Sequence, residues 1–211
     1  MPLASNALTT ISECESELGL TASAQDALLT RYINTASDQI ADYCNRKFFY
    51  DAAIVEKVGG SNDNFLYVSR TPISTITSVV WLGDDSTVGA STYEIWESDQ
   101  GAIYKENGWN DITLNATYLT RYKVTYKGGW ITPQQDADDG SLTRDLPFDL
   151  ETACVNIVTA LWQKKGQDRN VKSESIMGAS VTYDIDVSGL DASVMATLNN
   201  YKRMDRLESV Y

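Results

Sequence analysis

Apolar positions recur at two different spacings along this 211-residue chain, and the change of spacing separates helical ends from a strand-rich middle. Near the start, Thr10-Ile11-Ser12-Glu13 has the S/T-x-x-E form of a capping box, and Gly19 follows Leu18 as a stop. That predicts a short helix over 11–18. A second helix is predicted from Ser23, because Leu28, Tyr32, Ala36, Ile40 and Cys44 recur every fourth residue. Leu29, Ile33 and Tyr43 widen the same stripe.

From Asp51 to about Tyr126 the period drops to two. Strands are predicted at Phe65–Val68, closed by Thr71-Pro72, and around Ile76, Val79, Val80 and Trp81, ended by Gly83-Asp84-Asp85. Tyr93–Trp96, Ala102–Lys105 and Arg121–Tyr126 follow, separated by Gly, Asp and Asn, and Gly128-Gly129 closes the series. Residues 132–145 are polar and are expected to form an exposed loop.

Helical spacing then returns. Leu150, Ala153, Cys154, Ile157, Val158 and Leu161 fit one helix face, with Pro147, Asp149 and Glu151 at its start and Lys164-Lys165 at its end. Asp191 can cap a last helix carrying Val194, Leu198 and Tyr201. The fold expected is α+β: a mostly α-helical bundle, its long N-terminal helix packed on a C-terminal helix pair, with a small antiparallel β-sheet domain inserted. Residues 1–50 hold the N-terminal helices and 51–130 the β-rich insert. Residues 131–211 hold a loop, the core helix, an arm and the last helix, forming one helical domain with 1–50.

The arm is Ser173–Ile185, SESIMGASVTYDI. Small residues at Ser173, Ser175, Gly178, Ala179 and Ser180 give way to β-like Val181, Tyr183 and Ile185. Three readings stand for it: a linker, a hairpin packed on its own domain, or a surface ordered by a partner.

Composition narrows the function more than the fold. Hydrophobic residues make up 43%, enough for a normal core. No apolar run approaches the ~18 residues of a membrane span. The N-terminus lacks a basic segment followed by an apolar one, so no secretory signal is expected and the chain is expected to stay where it is made. Net charge is −12, from 29 acidic and 17 basic residues, the reverse of a duplex-gripping footprint. Cys14, Cys44 and Cys154 are far apart, form no CxxC, and read as buried small hydrophobes.

Candidate chemistry is sparse. The chain has no histidine, which removes Ser-His and Cys-His nucleophile pairs and nearly all transition-metal sites. Neither G-x-x-x-x-G-K-[ST] nor G-x-G-x-x-G occurs. Asp136-Ala137-Asp138-Asp139-Gly140 resembles part of a calcium loop. With Gly140 sixth, however, Ala137 falls third and Leu146 twelfth, where carboxylates belong. It reads as a solvated acidic loop. No catalytic residue, metal ligand or cofactor is assigned, and no enzyme activity is expected. Trp81, Trp96, Trp109 and Trp130 are the one binding candidate, as the surface tryptophans of a carbohydrate- or peptide-binding module.

Several segments, in order, resemble the head-tail connector (adaptor) proteins of long-tailed bacteriophages and prophages. LLTRYINTASDQIADYCNRKF, Leu28 to Phe48, is similar to that family's long helix ending in Tyr-Cys-x-Arg-x-Phe. Thr71 to Val79 resembles its Pro-Ile-x-x-Val-x-x-Val strand, Val124 to Trp130 its Tyr-x-x-Gly-aromatic closure, and Leu146 to Ala153 its Leu-Pro-x-Asp-Leu-x-x-Ala helix start. Ser173-Glu174-Ser175-Ile176-Met177-Gly178 resembles its Ser-Glu-Ser-Ile-Gly arm, lengthened by Met177, and Leu198 to Arg203 its Leu-x-x-Tyr-(Lys/Arg)-Arg finish.

The resemblance implies a structural connector built on a helical bundle, found in the virion and assembled in the bacterial host cytoplasm. Such subunits form a ring, commonly of about twelve, beneath the portal protein. They extend the DNA channel without binding DNA specifically, and dock a stopper or tail-completion protein. The subunit and portal interface is then expected at Ser173, Glu174, Ser175, Ile176, Met177, Gly178, Val181, Tyr183 and Ile185. Lys202, Arg203 and Arg206 either join it, against an acidic portal rim, or stay solvated. No membrane contact is expected.

Overall fold

The computed structural model describes residues 2–20, 25–60, 63–109, 122–165, 173–176, 179–182 and 191–203. Helix α1 spans Ile11–Leu18 and α2 spans Asp26–Cys44. Strands β1 (Asp51–Val58), β2 (Phe65–Tyr67), β3 (Ile73–Trp81), β4 (Ser86–Thr87), β5 (Glu94–Glu97), β6 (Ala102–Tyr104) and β7 (Tyr122–Gly128) follow. Then come α3 (Pro133–Asp138), α4 (Phe148–Gln163), the strands β8 (Ser173–Ile176) and β9 (Ala179–Thr182), and α5 (Ala192–Asn199). The chain folds into two units, one made of residues 1–45 with 146–211 and the other of 46–145.

In the first unit α1 begins at Thr10, whose side chain accepts from the Glu13 N–H at 3.3 Å, and ends at Gly19 in the left-handed region at φ 62°. α2 buries Leu29, Ile33, Ala36, Ile40 and Cys44, with Thr30 and Ser37 on the same stripe. Leu28 and Tyr32 are only half-buried, so the stripe is rotated slightly from the every-fourth-residue pattern, as a 3.6-residue turn requires. The predicted start at Ser23 lies outside the described residues. α4 packs on α1, α2 and α5 and is buried more than half-way round, which brings Glu151 and Val155 inside with Leu150, Cys154 and Val158. The Thr9 hydroxyl meets buried Glu151 at 3.4 Å. At the other end Tyr201 donates to Asp149 at 2.7 Å, tying the chain after α5 to the first turn of α4.

The second unit overturns the expectation of a mostly helical bundle carrying a small sheet. It holds two antiparallel sheets, one of four strands in the order β1-β7-β3-β4 and one of three in the order β2-β6-β5. These enclose a hydrophobic core of their own, with Val58, Leu66, Val68, Val79, Ile103, Trp109, Val124 and Tyr126 buried. The fold is therefore a true mixture of helices and sheets. Sequence periodicity under-counted the strands partly because β1 alternates only from Ile54 on: a register shift between Asp51 and Ile54 leaves Ala52 and Ala53 both exposed.

The predicted polar loop at 132–145 also contains structure. α3 starts with a capping box in which Thr132 accepts from Gln135 N–H and the Gln135 side chain accepts from Thr132 N–H. Thr132 and Pro133 are buried. Gly129, at φ 97°, lets the end of the sheet approach the chain after α2: a Cβ there would clash with the Phe49 carbonyl. Phe49 and Trp130 form a parallel bridge at that contact.

Candidate functional interface

Ser173–Ile176 and Ala179–Thr182 form a two-stranded antiparallel hairpin, β8-β9, paired Ser173 with Thr182, Glu174 with Val181, Ser175 with Ser180 and Ile176 with Ala179. The structure thus brings together five of the predicted interface residues: Ser173, Glu174, Ser175, Ile176 and Val181. Met177, Gly178, Tyr183, Ile185 and Arg206 lie outside the described residues. An isolated two-stranded ribbon has little stability in water, so further burial must hold it in any fixed form.

Lys202 and Arg203 fold back on their own unit. The Lys202 ammonium sits 4.9 Å from the Tyr43 ring centroid, and the Arg203 N–H donates to the Cys44 carbonyl at 2.9 Å. Tyr43 in turn donates to Asn199 at 2.8 Å. The segment after α5 is therefore seated on the C-terminal turn of α2, whose last carbonyls need donors.

The four tryptophans do not form one platform. Trp109 is fully buried, its indole N–H donating to the Ile103 carbonyl at 3.1 Å. Trp81 packs against the core, and Trp130 stacks on Phe48 with the Arg46 guanidinium 4.7 Å from its ring. Only Trp96 is open, at 57% exposure. It joins Phe65 and Tyr104 in an aromatic cluster with ring centroids 5.4–6.0 Å apart. This grouping crosses three strands, β2, β6 and β5, and no spacing in the sequence announces it.

Two of the buried cysteines are held as unreactive thiols. Burial pushes the Cys14 and Cys154 thiols up to about 12, with nearby Glu13 and Glu151 adding to the effect at Cys14. Such thiols are inert at neutral pH. Among the described residues no three His, Cys, Asp or Glu side chains gather in a way that could hold a metal ion. No described helix is long and apolar enough to cross a membrane. What the described surface does offer is contact area: the Trp96 cluster, exposed Phe148, and Val55 on the outer face of the four-stranded sheet.

Comparison with solved structures finds the same fold in the neck of a gene transfer agent (GTA) particle. The neck of the empty GTA particle, computed with C6 symmetry, matches with a TM-score of 0.57 at 15% identity, covering 99% of this chain and 95% of that one. The neck of the native particle, computed with C12 symmetry, matches with a TM-score of 0.57 at 14% identity and the same coverage. The virion of the native gene transfer agent matches at 0.56 and 15%, covering 96% and 93%. No curated protein matches. Residues 7–204, nearly the whole chain and both units, match the family described as HCP, head completion protein, and the chain belongs to that family.

Proposed function

We propose that this chain is a non-enzymatic neck subunit that forms a ring beneath the portal protein of a phage or phage-like particle. Family membership already makes it a structural component of such a particle, in the completion of the head. The ring itself, of about twelve subunits, would extend the DNA channel and offer its far side to a stopper or tail-completion protein. The observation that carries this reading is the family match over residues 7–204, taken with a fold like that of subunits in necks of cyclic symmetry.

In this reading the β8-β9 hairpin is the assembly arm. A two-stranded ribbon of small residues gains most of its stability from what it lies on, and a neighbouring subunit supplies that surface. Met177, Gly178, Tyr183, Ile185 and Arg206 belong to the same proposed interface, together with Lys202 and Arg203. The acidic balance of the chain fits a channel wall that lets DNA pass without retaining it.

The test is the mass of the purified protein, alone and mixed with a portal protein from the same genome. A ring-sized mass or a portal-dependent complex supports the proposal, and a strict monomer that ignores the portal overturns it. The Trp96 cluster favours a second reading, a carbohydrate- or peptide-binding module. That reading requires tryptophan fluorescence to shift on titration with an oligosaccharide or an extended peptide.

A further inference from the structure

In the four-stranded sheet, Tyr122, Val124 and Tyr126 of β7 point into the core, so Lys123, Thr125 and Lys127 face outward. The register places Lys57 directly opposite Lys123, Val55 opposite Thr125, and Ser78 opposite Thr125 from the other side. No paired position on this face is a carboxylate, and Val55 is 61% exposed. Exposed Lys57 and half-buried Lys123 and Lys127 thus share one face in a chain of net charge −12. Two of them are cross-strand neighbours with Cα atoms ~5 Å apart, an arrangement that destabilises the isolated sheet.

The reverse conflict exists on α1. Its sequence, ISECESEL, contains no cation, and exposed Glu13 and Glu17 are four residues apart on one face, ~6 Å along the axis. Like charges at that spacing repel; Glu13, in the first turn, is favoured by the helix dipole, but Glu17 meets its negative end. Residues 1–45 carry Glu13, Glu15, Glu17, Asp26, Asp38 and Asp42 against the one side-chain cation Arg31. Each surface holds one like-charge pair, Lys57 with Lys123 and Glu13 with Glu17, at similar spacing and of opposite sign.

We infer that the lysine face of one copy docks on the α1 face of a second copy, with Lys57 and Lys123 opposite Glu13 and Glu17. This deepens the ring reading and rests on it, since two different faces on each chain give a head-to-tail contact. Locally unfavourable charge on both faces is relieved only when they meet, which also sets the register between copies.

Association of the full chain is measured by sedimentation at ~50 and ~500 mM salt for the wild type, K57E/K123E, E13K/E17K and their combination. Each reversed pair is expected to weaken association about tenfold or more, the combination to restore it, and salt to weaken the wild type. K57E alone is expected to raise the melting temperature of the monomer, by removing the Lys57–Lys123 repulsion, while weakening association. K57Q/K123Q serves where a reversal disturbs folding, and should weaken association in the same direction. A wild type that associates while the variants do so equally well overturns this inference and leaves the ring reading intact. A wild type that stays monomeric in every condition, portal included, overturns both. Retention of duplex DNA by the wild type, lost in K57E/K123E and not restored by the combination, would assign the face to nucleic acid and overturn docking on α1.

Discussion

The side-chain amide of Gln135 pairs with the backbone of Tyr50 in both directions. Its oxygen accepts from the Tyr50 N–H at 3.1 Å and its nitrogen donates to the Tyr50 carbonyl at 2.7 Å. The amide therefore does what a neighbouring strand would do, while also capping α3 through the Thr132 N–H at 3.2 Å. Gln135→Ala removes all three bonds and is expected to destabilise the chain by ~1–3 kcal/mol, read as a lower midpoint in urea unfolding. Gln135→Glu keeps the acceptor but sets a carboxylate oxygen against the Tyr50 carbonyl, so its loss should be greater at pH 7 than at pH 4.

Gly129 and Gly140 make a matched pair for substitution. At Gly129 a Cβ meets the Phe49 carbonyl in a backbone at φ 97°, whereas at Gly140 nothing lies within 4 Å. Gly129→Ala is expected to cost more than ~2 kcal/mol and Gly140→Ala less than ~0.5 kcal/mol. Equal melting temperatures for the two variants would contradict this placement of the sheet end.

Tyr126 joins a part-buried polar network of the β unit. Its hydroxyl donates to Glu56 at 2.8 Å and accepts from the Arg70 N–H at 3.0 Å. The same carboxylate accepts from the Ser69 N–H and hydroxyl. Tyr126→Phe leaves the Arg70 N–H without this acceptor, and a loss of ~1–2 kcal/mol is expected. Burial and the Glu56 charge both raise the phenol above its ordinary range. The unfolded chain therefore releases this proton first, and stability should fall as pH rises above about 10 in wild type but less steeply in Tyr126→Phe.

The two buried thiols give a second alkaline signature. Cys14 and Cys154 move from an ordinary 9.0 to about 12 in the folded chain, so their contribution is complete below pH 9 and lost as pH rises toward 12. Alkylation by iodoacetamide at pH 8 should be slow at both residues and should accelerate only when the chain unfolds. Rapid native-state modification would show that this core opens readily.

Ile176→Ser with Tyr183→Ser tests the hairpin as an assembly arm. The pair should lower assembly on the portal while shifting the melting temperature of the monomer little. Unfolding of the monomer by the pair would instead place the hairpin in the core of its own unit.

How far the sequence was legible depended on how each element is stabilised. Thr10 and Gly19 mark both ends of α1, and the helix runs between them as predicted, because capping is a local interaction. α3 was missed although Thr132-Pro133-x-Gln135 is a strong start signal, since a six-residue helix that buries only Pro133 has no apolar period. β1 was missed because Glu56, a charged residue, faces inward to meet Tyr126. The aromatic cluster and the Lys57–Lys123 pairing depend on register between strands far apart in sequence, which no single segment encodes. The segment Ser173–Ile185 was legible from its small residues followed by Val181, Tyr183 and Ile185, whereas its assembly role came only from resemblance. An interface is selected by its partner, and its own residues need no internal pattern.

The pairing of Tyr50 with Gln135 also bears on how the protein is made. It ties the first residues of the 46–145 unit to its last helix, so the β unit can close on itself as it leaves the ribosome. The apolar stripe of α2 meanwhile waits for α4, which is synthesised about a hundred residues later, a delay of ~5–20 s at ordinary elongation rates. During translation the helical unit therefore stays an unfinished half, with the α2 stripe of Leu29, Ile33 and Ile40 lacking α4 for that interval.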